Sequence, residues 1–299
     1  MTDSTRFAKV LKTPEVIALA FGAMIGWSWV LLTGVWLTAA GTVGTLIAFC
    51  VGGVAVTLIG LTYSELASAM PKAGGEHIYT KRALGSRWSF VCTWALLFSY
   101  VNVCMFEAVA LPSAVEYLYP DIRLGTLWNV LDSDVDLGFI LIGIGATALV
   151  TWVNYLGIRT AAILQAVVTA LIVVTGMLLI SGAIAFGDAS NAQPWIATPV
   201  SGILIVLIMV PSMLIGFDVI PQSAEEIDLP PNKIGRLLIF SVACAVAWYI
   251  LIAMAVGFGL TADALSTTKM ATADAAAALW SGSWACLLYT SPSPRDKRQ

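Results

Sequence analysis

Long stretches of this chain contain no charged residue, and they determine its architecture. Charge-free runs cover residues 16–64, 88–106, 137–158, 160–187, 189–217 and 237–262. A helix needs about 20 apolar residues to cross the hydrocarbon core of a bilayer. Each run is near or above that length, and the first is long enough for two crossings. The pattern predicts an all-α polytopic membrane protein.

Seven crossings and the start of an eighth fit these runs. We place them at about residues 14–38, 43–69, 87–117, 137–157, 160–186, 201–226 and 236–260, with the eighth starting near 274. Composition agrees, because 59% of the residues are hydrophobic and 11% are charged, against about 25% charged in soluble domains. The net charge of -3 gives no sign of a nucleic-acid partner.

The distribution of Lys and Arg predicts the orientation. Basic residues concentrate in loops on the cytoplasmic side of membranes. With the N-terminus inside, the outer segments hold only Arg123 and Lys269, and the inner segments hold Arg6, Lys9, Lys12, Lys72, Lys81, Arg82, Arg87, Arg159, Lys233 and Arg236. We expect a multi-pass protein with a cytoplasmic N-terminus, in the plasma (inner) membrane. The polar first fifteen residues do not resemble a cleaved signal peptide.

The two ends of the chain differ from the apolar middle. Residues 1–13 are predicted to be a cytoplasmic tail, and residues 14–285 the membrane domain. The eighth helix cannot continue through the Ser-Pro-Ser-Pro segment that follows Thr290, because proline removes a donor and restricts the residue before it. Residues 286–299 are expected to be a non-native or disordered tail, with a natural cytoplasmic tail as the alternative.

The first crossing contains a glycine pair, Gly22-Ala-Met-Ile-Gly26. One interpretation is a packing face on which small residues let helices approach. The other is a break in the helix, whose exposed N–H groups suit a carboxylate. The sixth crossing favours the second interpretation, because Pro211 and Gly216 both disfavour a continuous helix. The two segments, Met24-Ile-Gly-Trp27 and Leu214-Ile-Gly-Phe217, also resemble each other.

Polar side chains within the crossings are further candidates, since such residues are costly in a membrane. Asp218 follows the second glycine segment, and Glu107 lies in the third crossing near Asn102 and Tyr100. For both acids the alternative is a solvated position near a helix end. Gln165 shares a helix face with Thr169 and either joins helices or lines a site. Trp27 and Phe217 each adjoin a glycine segment and can close over a small molecule.

Metal binding and enzymatic chemistry find little support in the sequence. The chain has five cysteines without Cys-x-x-Cys spacing, and its single histidine, His77, has no second histidine with which to form a metal site. We expect no cofactor and no enzymatic activity.

These motifs together resemble the amino acid/polyamine/organocation permeases. The most specific match is Glu65-Leu-Ala-Ser-Ala-Met-Pro71 followed by Gly74, Gly75 and Tyr79. The resemblance implies a leucine-transporter-type inverted repeat of five plus five helices, here truncated after about seven and a half. It also implies a substrate carboxylate on the first break and an amine facing the second. By position, the implied substrate-binding residues are Ala23, Met24, Ile25, Gly26, Trp27, Ser28, Ile215, Gly216, Phe217 and Asp218.

Two departures from the family pattern limit what the resemblance implies. Residues 26–28 read Gly-Trp-Ser where many relatives have Gly-x-Gly, which leaves the substrate open. The fifth crossing lacks the lysine of some proton-coupled relatives, so a lysine-based proton mechanism is not expected. The coupling ion, H⁺ or Na⁺, and the oligomeric state stay open.

The sequence therefore predicts a secondary transporter for an amino acid or related amine, in contact with membrane lipid. Glu107, Asn102 and Gln165 are candidates for a proton or polar site. The alternatives are a polyamine- or ethanolamine-type amine permease, a non-functional transporter fragment, a receptor with a transporter-like body, and an integral membrane enzyme.

Overall fold

The structure is a computed structural model that describes residues 9, 11–130 and 133–280. Within those residues, five helices are long and apolar enough to cross a membrane: Ser28–Ala69, Ser86–Leu118, Leu137–Tyr155, Arg159–Phe186 and Lys233–Gly259. Two shorter apolar helices, Thr13–Met24 and Ser201–Met213, accompany them. These helices are those of an integral membrane protein. The predicted tail at residues 286–299 lies outside the described residues.

The elements follow one another along the chain with mostly short connections. The helices are α1 Thr13–Met24, α2 Ser28–Ala69, α3 Gly75–Leu84, α4 Ser86–Leu118, α5 Leu137–Tyr155, α6 Ile158–Phe186, α7 Ser201–Met213, α8 Val219–Gln222, α9 Pro231–Gly259, α10 Ala262–Thr267 and α11 Ala271–Leu279. Short 3-10 turns cover Pro120–Ile122 and Ala189–Ala192. The predicted third, fourth, fifth and seventh crossings correspond to α4, α5, α6 and α9 with small shifts at their ends.

The first two predicted crossings correspond to α1 and α2. The first crossing is interrupted between α1 and α2, and α2 consists of two helical segments that meet at Gly41, within the predicted connection at residues 39–42. The φ of 75° and ψ of 173° at this glycine are not helical. A side chain at this glycine would come within 2.8 Å of Trp195 O and Ala197 N. Glycine is therefore required both by the backbone angle and by the close approach of the chain that precedes α7.

The core lies where α2 packs against α7 and α9. Small residues on α2 allow the close approach that membrane helices need: a Cβ at Gly52 would meet Val210, and one at Gly53 would meet Val246. The same core contains a fully buried aromatic cluster whose ring centroids lie 5.0–5.7 Å apart. Its members are Trp36, Phe49 and Tyr249. This packing fixes α9 against α2 on both sides of Gly41.

Two short strands occur in the connection between α4 and α5, which the sequence predicts to be a loop. β1 Thr126–Val130 and β2 Ser133–Asp136 pair in antiparallel fashion. The Asp136 carboxylate ends the hairpin by accepting from the N–H groups of Leu124 at 2.8 Å, Gly125 at 3.1 Å and Gly138 at 3.3 Å. The last of these bonds caps the N-terminus of α5. The hairpin is the part of the described fold that departs from the all-α prediction.

Candidate functional site

The first helix break lies between Met24, the last residue of α1, and Ser28, the first residue of α2. The N–H group of Trp27 points at the Glu107 carboxylate of α4, at 3.2 Å from one oxygen and 3.4 Å from the other. A side chain at Gly26 would overlap that carboxylate. The break therefore leaves the Trp27 amide at the start of α2 without a partner in its own helix. In this structure the Glu107 carboxylate accepts the hydrogen bond from that amide.

The second break lies between α7 and α8, at residues 214–218. Pro211 stands in the last turn of α7, and Gly216 has a φ of 121°, which favours glycine. The Gly216 N–H donates to the Asp218 carboxylate at 3.2 Å. The predicted sixth crossing is thus an apolar helix, a break and the short helix α8.

The two breaks lie against each other. A Cβ at Gly216 would come within 2.7 Å of the Ala23 side chain and within 2.9 Å of its backbone carbon. The Tyr249 hydroxyl of α9 lies 2.7 Å from the Met24 carbonyl oxygen and 3.2 Å from that of Met213. These carbonyls end α1 and α7, so they have no partner within their own helices. One buried phenol therefore connects both interrupted helices.

The sequence does not identify Tyr249 as a site residue. A single tyrosine within an apolar crossing is typical of a packing residue, and its neighbours along the chain are apolar. One feature of the sequence could have indicated its role, namely that Tyr249 lies near the middle of the predicted crossing at 236–260 and therefore deep in the membrane. The Ser28 hydroxyl, 2.8 Å from the Tyr249 oxygen, completes this contact and is one of the predicted site residues.

Asp218 is buried, with 7% of its surface exposed, so the alternative of a solvated aspartate is wrong. Its carboxylate accepts hydrogen bonds from the Tyr100 hydroxyl of α4 and from the Gln222 amide at 3.1 Å. The same amide lies 3.3 Å from the Glu76 carboxylate, at the start of α3. Asp218 therefore belongs to a buried polar cluster that extends from the second break towards α3.

The polar residues of α4 divide between two faces. Tyr100 and Glu107 are seven residues apart, and both reach the breaks, as that spacing on a helix allows. Asn102 is exposed, and its amide donates to the Phe98 carbonyl of its own helix at 2.7 Å. Asn102 therefore does not contact either break in this structure, and its role in a polar site stays a prediction.

Gln165 and Thr169 of α6 lie beside Gly22, one turn before the first break. The Gln165 amide is 3.4 Å from the Thr169 hydroxyl, and that hydroxyl is 3.5 Å from the Ala18 carbonyl. A side chain at Gly22 would overlap both groups. The glycine pair thus has two roles, since Gly22 permits close packing of α6 and Gly26 lies in the break.

The aromatic residues next to the breaks point to different neighbours. Phe217 packs edge-on against Tyr63 of α2, with ring centroids 5.4 Å apart. Trp27 instead packs with a small apolar cluster that includes Ala114, Met270 and Ala273. Both rings are partly buried. Ile25 is fully buried and Ile215 partly so, so Ile215 is the more accessible of the paired isoleucines.

The single histidine, the cysteines and the acidic residues of the described segments belong to the residue types that bind metal ions. No group of three or more His, Cys, Asp or Glu residues there is arranged to hold a metal ion. His77 instead fastens α3 to α4, with its Nδ1 atom 2.9 Å from the Ser89 hydroxyl and 2.8 Å from that of Thr93.

Comparison with known proteins identifies the family. The amino acid permease family model matches residues 15–290, which is most of the chain. The chain belongs to the amino acid permease family. The members to which it is similar are transporters and not enzymes.

Three relatives show the breadth of that similarity. The branched-chain amino acid permease BcaP of Bacillus subtilis (strain 168) is 26% identical over 241 residues, covering 79% of this chain and 52% of its own. Cationic amino acid transporter 4 of Homo sapiens is 26% identical over 269 residues, covering 84% and 41%. The glutamate/serine transporter AimA of Bacillus subtilis (strain 168) is 38% identical over 108 residues, covering 36% and 19%. The chain spans about half the length, or less, of these relatives.

Proposed function

We propose that this chain forms the substrate-binding part of a secondary active transporter, which moves an amino acid or a related amine across the membrane by alternating access. The observation that carries the proposal is the meeting of two interrupted helices at Tyr249. Broken helices at mid-membrane supply free backbone groups for a small polar substrate while the rest of the protein stays apolar. Membership of the amino acid permease family supports an amino acid as the substrate.

The chemistry of the two breaks matches the two ends of an amino acid. The amide at the start of α2 suits a carboxylate, and Glu107 occupies that position here. The carbonyls at the ends of α1 and α7 and the Asp218 carboxylate suit an ammonium group. We propose a substrate surface formed by residues 23–28 and 215–218, with Phe217 or Trp27 closing over it.

An amine permease is the second candidate, and Glu107 favours it. If this carboxylate stays on the Trp27 amide, the first break cannot accept a substrate carboxylate, and the site would instead hold an amine between two acidic residues. A polyamine- or ethanolamine-type substrate would fit that arrangement.

The wider architecture is part of the proposal. Breaks in the first and sixth crossings agree with a five-plus-five inverted repeat, and the excess of Lys and Arg on one side agrees with a cytoplasmic N-terminus in a plasma membrane. Because the chain spans about half the length of its relatives, transport by this chain alone is also a proposal. A non-functional fragment is the opposite outcome.

Uptake of matched substrates by purified protein in liposomes tests these alternatives. The panel pairs each labelled amino acid with the amine that lacks its carboxylate. Uptake of the amino acid alone supports the first proposal, and uptake of the amine alone supports the second. Absence of uptake for every pair would contradict both.

A matched pair of glycine variants tests the site itself. Gly26→Val places a side chain where the Glu107 carboxylate lies, and we expect uptake to fall to background while membrane insertion continues. Gly145→Val is the control, because Gly145 is exposed on α5 and has open space around its Cα. Normal uptake by Gly26→Val would remove the first break from the site.

A further inference from the structure

Two buried carboxyl groups face each other across one amide on the α3 side of the second break. Asp218 and Glu76 are 7% and 6% exposed. The Gln222 amide lies 3.1 Å from one carboxylate and 3.3 Å from the other. In the described part of the chain, no Lys, Arg or His forms a salt bridge with either group; the salt bridge found there joins Arg123 and Glu116.

The Gly74-Gly75 pair brings Glu76 into this position. Gly74 directly precedes α3 and has a φ of 99°, and its N–H donates to the Gln222 carbonyl at 3.2 Å. A Cβ at Gly75 would lie 3.3 Å from the Gln222 side chain. The turn therefore places the first residues of α3 directly on the end of α8, and Glu76 is carried into the core.

The hydrogen-bond donors are divided unequally between the two acids. Asp218 accepts from the Tyr100 hydroxyl, the Gln222 amide and the Gly216 N–H. This set satisfies an ionised carboxylate. Glu76 shares the same amide through one oxygen, while its Oε1 atom is buried and has no hydrogen-bond partner in the described residues. A buried ionised carboxylate with an unpaired oxygen is costly, and a neutral carboxyl in the same place is much less so.

We infer that Glu76 is a proton-binding site, and that the Glu76–Asp218 pair holds one proton, carried by Glu76 while Asp218 stays ionised. The inference deepens the proposed transport function by assigning H⁺ as the coupling ion. One proton binds to Glu76 from the cytoplasmic or external solution and leaves from the same oxygen, so that no other reactant is consumed.

The surroundings of Glu76 favour the neutral form. Burial raises the pKa of this carboxyl and the Asp218 charge raises it further, although the backbone at the start of α3, Tyr63 and Gln222 oppose the shift. Protonation therefore persists above the pH at which an exposed glutamate ionises. The titratable groups around the pair are Tyr63 on α2, Tyr79 on α3, Cys92 and Tyr100 on α4, and Asp218 beside α8.

Infrared titration of the purified protein tests the protonation directly, without any transport. We expect a protonated-carboxyl band at neutral pH that Glu76→Gln removes and that Glu65→Gln leaves in place. Glu65 is the control because it is an exposed glutamate in the last turns of α2. Asp218→Asn, which removes the neighbouring charge, should move the titration of the band to lower pH. A band that survives in Glu76→Gln, or that is absent from the wild type, would overturn the inference.

Uptake by liposomes with and without a pH gradient tests the coupling. One coupled proton in a gradient of about one pH unit supports at most about tenfold accumulation. We expect this stimulation in the wild type and in Glu65→Gln, and its loss in Glu76→Gln. Stimulation by a sodium gradient in place of the pH gradient would contradict H⁺ as the ion. Absence of wild-type uptake under all conditions would contradict the transport proposal, while the infrared result would still report on Glu76.

Discussion

The Tyr249 hydroxyl lies between two helix ends that have lost their own hydrogen-bond partners, and its one proton is available to either of them. In a membrane interior, no water is present to donate a hydrogen bond to an unpaired carbonyl. The carbonyls of Met24 and Met213 both lie at the ends of interrupted helices. The sequence indicates where the breaks occur, because glycine and proline act on the local backbone. It does not reveal Tyr249 or Glu76, because their roles depend on what the fold places beside them.

Removing the Tyr249 hydroxyl should weaken the connection between the breaks. Tyr249→Phe keeps the ring stacked on Phe49 but leaves buried carbonyls without a donor. We expect a loss of about 1–3 kcal/mol in stability, as is typical of a buried group left unsatisfied, seen as a lower melting temperature in detergent. Tyr155→Phe is the control, since that tyrosine is 82% exposed. Equal melting temperatures for the two variants would show that the hydroxyl is not a structural link.

The helices show which local signals determine an element and which do not. Pro211 and Gly216 interrupt the sixth crossing where the sequence predicts it. The change of direction at Gly41 falls in the predicted connection at residues 39–42, but the positive φ of this glycine was not predicted, because it is imposed by the chain near Trp195. The hairpin after α4 also escaped prediction, since its polar composition is that of a loop.

A methyl group at Gly216 tests whether the second break requires its observed geometry. Gly216→Ala adds a side chain at a φ of 121° and within 3.0 Å of the Ala23 backbone. The left-handed backbone alone costs about 1–2 kcal/mol for a residue other than glycine. We expect reduced thermal stability and a loss of substrate uptake, whereas Gly145→Ala should behave as the wild type. Unchanged uptake by Gly216→Ala would show that the breaks need not lie so close.

The molecule as a whole combines a well-packed seam with broad apolar surfaces. The helices α2 and α9 are the most buried of the five long apolar helices, while α4 and α5 expose apolar side chains along most of their length. The membrane class and the permease family follow from the sequence, because charge-free length and loop motifs are one-dimensional signals. The substrate does not follow, because it depends on the space between the two breaks.

Substrate protection of a cysteine at Ile215 is the most direct test of the claim that the two breaks form one binding site. In a cysteine-free background, the labelling rate of Ile215→Cys by a polar maleimide is measured with and without the substrate that is taken up fastest. We expect saturating substrate to slow this labelling several-fold and to leave that of Leu124→Cys, exposed in the loop before β1, unchanged. Equal labelling of Ile215→Cys with and without substrate would contradict a shared binding site at the two breaks.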